Sequence, residues 1–134
     1  MKTVTYLARL AGLLAALVIG PLLATASAGT TAPFTSEAFK AAQAAGQPIL
    51  VEIYADWCPT CKAQEPIVNA LKADPKFDKL VVLRVNFDQQ KQVLRELNAQ
   101  SQSTLIVFKG KSEVGRSVGD TRRASIESLV GKSL

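Results

Sequence analysis

Two cysteines, Cys58 and Cys61, are the only ones in the chain, and they stand in a Cys-x-x-Cys spacing. A pair so close can close and reopen a disulfide with little movement of the backbone. Thiol–disulfide exchange is therefore the first chemistry to consider. The chain contains no histidine, which excludes a Cys–His nucleophile pair, a Ser–His triad and any His-ligated metal. Two plainer uses of the cysteines compete. A structural disulfide here would brace a tiny loop and add little chain-entropy stabilisation. Half of a zinc site would need a second copy of the chain, since no further Cys or His completes four ligands.

The elements around the pair give it a direction. Ile49-Leu50-Val51-Glu52-Ile53-Tyr54 is short, β-branched and almost wholly apolar, as a strand covered on both faces should be. Ala55-Asp56-Trp57 leaves it, and Cys58-Pro59-Thr60-Cys61 opens a helix that runs to about Leu71, with Pro66 expected to bend it. A helix start presents unpaired N–H groups and the positive end of a dipole, which stabilise a thiolate. Cys58 is therefore expected to be the more exposed and more acidic thiol, the attacking sulfur. Cys61, one turn on, resolves the mixed disulfide.

The remaining chain supplies a frame. Gly29 to Pro33 reads as a flexible lead-in. Ser36 caps a helix reaching about Ala45, anchored by Phe39 and ended by Gly46. Asp74-Pro75 marks a break, and Leu80 to Phe87 is a second buried strand. Gln90 to Leu97 has helical spacing, Leu105 to Phe108 is a third strand, and a turn at Gly110 leads into a hairpin strand over Glu113 to Val118. Ile126, Leu129 and Val130 give the last helix its apolar face. The order helix–strand–helix–strand–helix–strand–strand–helix predicts one α/β domain over residues 29–134. It has a central mixed sheet: a parallel pair joined by a crossover, then a hairpin.

Residues 1–28 read as a signal peptide. Lys2 and Arg9 precede an apolar stretch from Leu10 to Ala24, and Ala26-Ser27-Ala28 has the small-residue pattern of a cleavage site. The competing reading is an uncleaved anchor. However, the stretch is short of the about 20 residues of a span, and Gly20-Pro21 interrupts it. Either reading puts the domain outside the cytoplasm, in a bacterial periplasm, where disulfides persist. Hydrophobic residues make up 48% of the 134 residues, enough for a real core. The net charge of +5 is scattered and not interleaved with aromatics, so nucleic acid is not an expected partner.

Val51-Glu52-Ile53-Tyr54-Ala55-Asp56-Trp57-Cys58-Pro59-Thr60-Cys61-Lys62 resembles the active-site signature of the thioredoxin family. The resemblance continues through Pro66, the Arg84 to Asp88 strand end, Thr104 to Lys109 and Val118-Gly119, and covers the chain from about Ser36 onward. The Tyr-Ala-Asp-Trp-Cys run is also similar to the periplasmic thioredoxin-like domain of transmembrane electron-transfer reductases. The thioredoxin-family resemblance implies a thioredoxin fold with helices on both sheet faces. Three catalytic residues follow: Cys58, Cys61 and Glu52, the last standing where the family keeps a buried acid behind the second cysteine. Burial should raise the pKa of Glu52 and suit it to take the Cys61 proton; a solvated edge position is the alternative. Arg84 falls where the family often has a lysine, either paired with Glu52 or lying at the surface.

For substrate contact the resemblance implies Trp57, Pro59, Thr60, Gln102 and Ser103. Trp57 is expected as an exposed aromatic, against ordinary core packing as the alternative. Pro59-Thr60 departs from the Gly-Pro of cytosolic thioredoxins and tunes the redox potential. The sharpest departure is Ser103, which stands where the family has a cis-proline facing the dithiol. A cis bond before a non-proline residue costs about 2.5–4 kcal/mol, so a trans Gln102–Ser103 bond is expected. The Ser103 hydroxyl would then be free to donate to the Cys58 thiolate, or to point to water.

The expected function is a periplasmic thiol–disulfide oxidoreductase without cofactor or metal, a reductase or electron carrier more than an oxidant. Its expected partners are protein disulfides and dithiols and a membrane electron-donor protein, and it is expected to be a monomer. Intact Cys58, Cys61, Trp57 and Glu52 argue against a non-catalytic binding module. The lack of His and nearby Met argues against a copper or iron–sulfur carrier.

Overall fold

The structure is a computed structural model and describes residues 29–134; the leader expected over residues 1–28 lies outside the described residues. The elements are β1 (Thr30–Pro33), α1 (Ser36–Ala44), β2 (Pro48–Tyr54), α2 (Pro59–Ala73), a 3₁₀ turn (Pro75–Phe77), β3 (Val81–Asn86), α3 (Lys91–Glu96), β4 (Thr104–Lys109), β5 (Ser112–Val118) and α4 (Arg123–Gly131). The sheet has five strands in the order β1-β3-β2-β4-β5. β1, β3 and β2 are parallel, β4 runs antiparallel to β2, and β5 returns antiparallel to β4 as the second strand of a hairpin. A register irregularity interrupts the hairpin between Val107 and Phe108. This is the mixed sheet the sequence predicts, with one strand more.

That extra strand is β1, where a flexible lead-in is expected. Thr30-Thr31-Ala32-Pro33 carries no apolar run and stays largely exposed. Its order comes from outside, through pairing of Thr30 with Val81 through Pro33 with Arg84 on β3. Pro33 is tolerated because the strand is an edge. Gly29 precedes it at a point where a Cβ would stand 2.9 Å from the Leu80 carbonyl oxygen, so only glycine lets the chain enter the sheet there. The first helix also differs by one residue at its cap. Thr35, not Ser36, holds the N-cap, and its hydroxyl accepts the Ala38 N–H at 3.0 Å.

Period-two alternation along β2 sorts the core into two layers. Ile49, Val51 and Ile53 join Phe34, Leu83, Val85, Leu94, Ile106 and Phe108 beneath α1 and α3. Leu50 joins Val68, Leu71, Phe77, Val82, Leu105, Val107, Ile126 and Leu129 beneath α2 and α4. Helices thus cover both faces. The same alternation places Glu52 on the face of Leu50, toward α2, and Arg84 on the face of Val82. In register, Glu52 and Arg84 are direct neighbours on adjacent strands. α2 runs through Pro66 to Ala73, slightly past the expected Leu71.

Candidate active site

The strand β2 delivers the chain to Ala55, and α2 begins with Cys58 as its N-cap. Cys58 has extended backbone geometry there, Pro59 takes the first helical position, and the Cys58 Sγ accepts the Cys61 N–H at 3.0 Å. Sulfur thus sits where a helix needs an acceptor and where its dipole favours negative charge. The two cysteines are joined as a disulfide across a Cα–Cα distance of 5.3 Å. Cys61 Sγ lies 4.0 Å from the Ile53 carbonyl oxygen.

The expectation that Cys58 is the more exposed cysteine does not hold in this disulfide state. Cys58 is 1% exposed and Cys61 4%. The capping geometry is the cause: it turns the Cys58 sulfur back over the first helical turn, where both cysteines pack with Ala55, Tyr54 and Phe87.

Glu52 is buried, not solvated. Its Oε2 accepts from Arg84 Nε at 3.0 Å, and its Oε1 is buried without a partner. Loss of hydration raises its pKa above the ordinary carboxylate value, and the Arg84 guanidinium only partly opposes that shift. Arg84 is half-buried and lies over the Tyr54 ring at 3.9 Å from its centroid. A cleft of about 140 Å³ reaches Cys61 past Glu65 and Arg84, and a recess of about 70 Å³ reaches Glu52 past the same two side chains. Arg84 thus stands between acid, solvent and the second sulfur.

Trp57 is 58% exposed, as an aromatic contact should be. Its Nε1 donates to Asp88 Oδ2 at 2.8 Å, and Asp88 is oriented by its own N–H bonding to Asn86 Oδ1 at 2.9 Å. Asp56 is exposed, Pro59 is exposed, and Thr60 is half-buried on the first turn of α2.

The Gln102–Ser103 loop departs most from expectation in detail. There is no cis peptide among the described residues, so the Gln102–Ser103 bond is trans. Ser103 has φ +56 instead, a left-handed conformation rare for a residue with a Cβ. Its hydroxyl is neither offered to Cys58 nor turned to water: Ser103 is buried and its Oγ donates to the Gln102 carbonyl at 2.6 Å. The left-handed backbone brings that carbonyl within reach of the short side chain. Thr104 begins β4 opposite Ile53, whose carbonyl approaches Cys61, so the loop stands at the dithiol end of the sheet.

One polar residue at the site is missing from the sequence reading. Gln64 is fully buried on α2, one turn past Cys61. Its Nε2 donates to the Ser103 carbonyl at 3.1 Å and to the Asp120 carbonyl at 2.9 Å. The signal was its place in the stripe Cys61, Gln64, Val68, Leu71, an amide where an apolar side chain belongs.

A buried redox pair at a helix start, backed by a buried carboxylate and flanked by an exposed indole on this mixed sheet, defines a thiol–disulfide oxidoreductase of thioredoxin architecture. The sequence model of the family described as Thioredoxin matches residues 30–132. The chain therefore belongs to the thioredoxin family. It is 33% identical over 84 residues to a thioredoxin of Chlamydia trachomatis, covering 63% of this chain and 80% of that one. With a thioredoxin of Alicyclobacillus acidocaldarius it shares 29% identity over 104 residues, covering 78% of this chain and 98% of that one. Among solved structures, Trxlp from Edwardsiella tarda superimposes with a TM-score of 0.74 at 42% identity, covering 75% of this chain and 98% of that one. Membership of this family carries with it action on protein disulfides through the cysteine pair.

Proposed function

We propose that this oxidoreductase works outside the cytoplasm, in a periplasm, as a reductase or electron carrier. The observation that carries the direction of attack is the Cys58 sulfur at the N-cap of α2, already accepting an N–H of the first turn. With the pair reduced, the Cys58 thiolate attacks one sulfur of a substrate disulfide. A mixed disulfide forms and the substrate's other sulfur leaves as a thiolate. Cys61 then loses its proton to Glu52 and attacks the Cys58 sulfur. The Cys58–Cys61 disulfide forms, the substrate's second thiol is released, and two electrons have passed to the substrate. Glu52 suits the role of acceptor because burial raises its pKa.

The leader pattern supports export: Lys2 and Arg9, then an apolar stretch, then Ala26-Ser27-Ala28 before Gly29. No helix among the described residues is long and apolar enough to cross a membrane. An exported dithiol must be recharged without cytoplasmic reductants, so a membrane protein that passes electrons outward is the proposed donor. The protein acts on its partners as a monomer in this reading.

Catalysed reduction of insulin by dithiothreitol, and a reduction potential well below that of the periplasmic oxidants, are expected. Failure to reduce insulin, with efficient oxidation of reduced substrates, would reverse the direction. Cys61→Ser expressed in cells should trap substrates and the donor as mixed disulfides. Mass spectrometry of exported protein should find Gly29 as the first residue; an intact leader would indicate an anchored form.

A further inference from the structure

We propose that Gln64 is a positioning residue for disulfide exchange, holding the loop at Ser103 against the active-site helix. The inference rests on the oxidoreductase reading above. Both amide protons of Gln64 are committed to backbone carbonyls of two other segments: Ser103, just before β4, and Asp120, between β5 and α4. The Ser103 carbonyl also accepts the Gly119 N–H at 2.9 Å. Three stretches far apart in sequence are therefore fastened at one point beside the first turns of α2.

The arrangement is costly for a purely structural role. Gln64 is fully buried in a stripe of apolar residues, and its Oε1 has no partner. An apolar side chain at that place would fill space without stranding an acceptor. What an apolar residue cannot do is donate to a carbonyl. The carbonyl in question belongs to a residue with φ +56, a conformation that persists only where the surroundings impose it. A ring fixing the backbone is absent at this position, since it is a serine. Gln64 supplies the restraint from the helix instead, and so couples the height of the loop to the helix that carries Cys58 and Cys61.

The loop stands at the dithiol end of the sheet, so in this proposal a protein substrate seated on the sulfurs meets it, whereas a small disulfide needs only the sulfurs. The test compares insulin turnover, with dithiothreitol as reductant, against oxidation of the prereduced protein by 5,5′-dithiobis(2-nitrobenzoic acid). Gln64→Met keeps length and helix propensity and removes both donors. Its KM for insulin is expected to rise about tenfold, well inside the roughly 10²-fold that an about 1 Å misplacement costs. kcat and the small-disulfide rate should stay within about twofold. The Gly119 amide should exchange faster with solvent. In Gln64→Glu, the ratio of insulin rate to small-disulfide rate should climb toward the parent's as pH falls, because a protonated carboxyl regains one donor.

Parallel loss of both rates, no change in either, or a pH-independent ratio in Gln64→Glu would overturn the inference. These outcomes are distinct from failure of the oxidoreductase reading, in which the parent itself reduces neither disulfide and both conclusions fall.

Discussion

Glu52 and Arg84 face each other in register on neighbouring parallel strands, and Arg84 Nε donates to Glu52 Oε2 at 3.0 Å. The pair is lopsided: the carboxylate is almost wholly buried, and the arginine side chain keeps 30% of its exposure. Burial outweighs the guanidinium, so the Glu52 carboxyl binds its proton more tightly in the folded chain than in the unfolded one.

Replacing the acid should therefore separate stability from catalysis. Below the ordinary carboxyl value of 4.5, Glu52 is protonated in both folded and unfolded chains and its contribution to stability is fully present. As pH rises through the raised folded value, the unfolded chain releases the proton more readily and stability is lost. Glu52→Gln should accordingly unfold at higher urea concentration than the parent at neutral pH, with the gap closing below about pH 4.5. The same variant should slow the Cys61-dependent release of a trapped mixed disulfide on the order of 10²-fold, the lower end of general-base contributions. Unchanged release would remove Glu52 from the mechanism.

Arg84→Gln removes the main group that opposes the upward shift of Glu52, leaving only the weaker pull of Lys72. The pH at which mixed-disulfide resolution accelerates should move upward relative to the parent. A rate profile measured over the acid-to-neutral range checks this. An unmoved profile would mean that Glu52 and Arg84 are not electrically coupled in the reduced enzyme.

Cys58→Ser should abolish exchange, and Cys61→Ser should accumulate mixed disulfides. Both sulfurs are buried while bonded to each other, so the difference in acidity must be read on reduced protein. Iodoacetamide at mildly acidic pH should label Cys58 first, because the helix start stabilises its thiolate. Labelling of Cys61 first would reverse the two roles.

Restoring the family's proline should harm this chain. Proline holds φ near about −65°, whereas Ser103 has φ +56. Ser103→Pro is expected to cost more than about 1 kcal/mol, as proline does where the native backbone cannot accept it. Ser103→Gly, which tolerates positive φ, should remain within about 1 kcal/mol of the parent. Urea denaturation of the two variants decides. A stabilised Ser103→Pro would show that the left-handed loop is not held.

Much of this architecture was legible in the residues because it depends on neighbours in sequence. The strand Ile49 to Tyr54 is apolar over a run, and Cys58-Pro59-Thr60-Cys61 follows it closely enough to read as the opening of a helix. What was not legible depends on partners brought from afar. β1 has no apolar pattern and exists because β3 is beside it. Gln64 is an unremarked polar residue until the Ser103 loop arrives over it, 39 residues later in the chain. Arg84 offered two readings, and only the strand register chose between them. Ser103 carries no mark of a left-handed backbone, since serine is common in every kind of loop.

The borders of the sheet have a consequence for the protein in a crowded solution. β1 has only four residues and ends in Pro33, which has no N–H to offer a newcomer. β5, on the other side, is bent by the irregularity opposite Val107 and Phe108 and carries the Glu113–Arg116 ion pair at 2.6 Å. Short length, proline, a bulge and charge are the features that discourage strands of separate molecules from zipping together. Both edges of the described sheet thus carry features that make copies of the chain poor templates for one another.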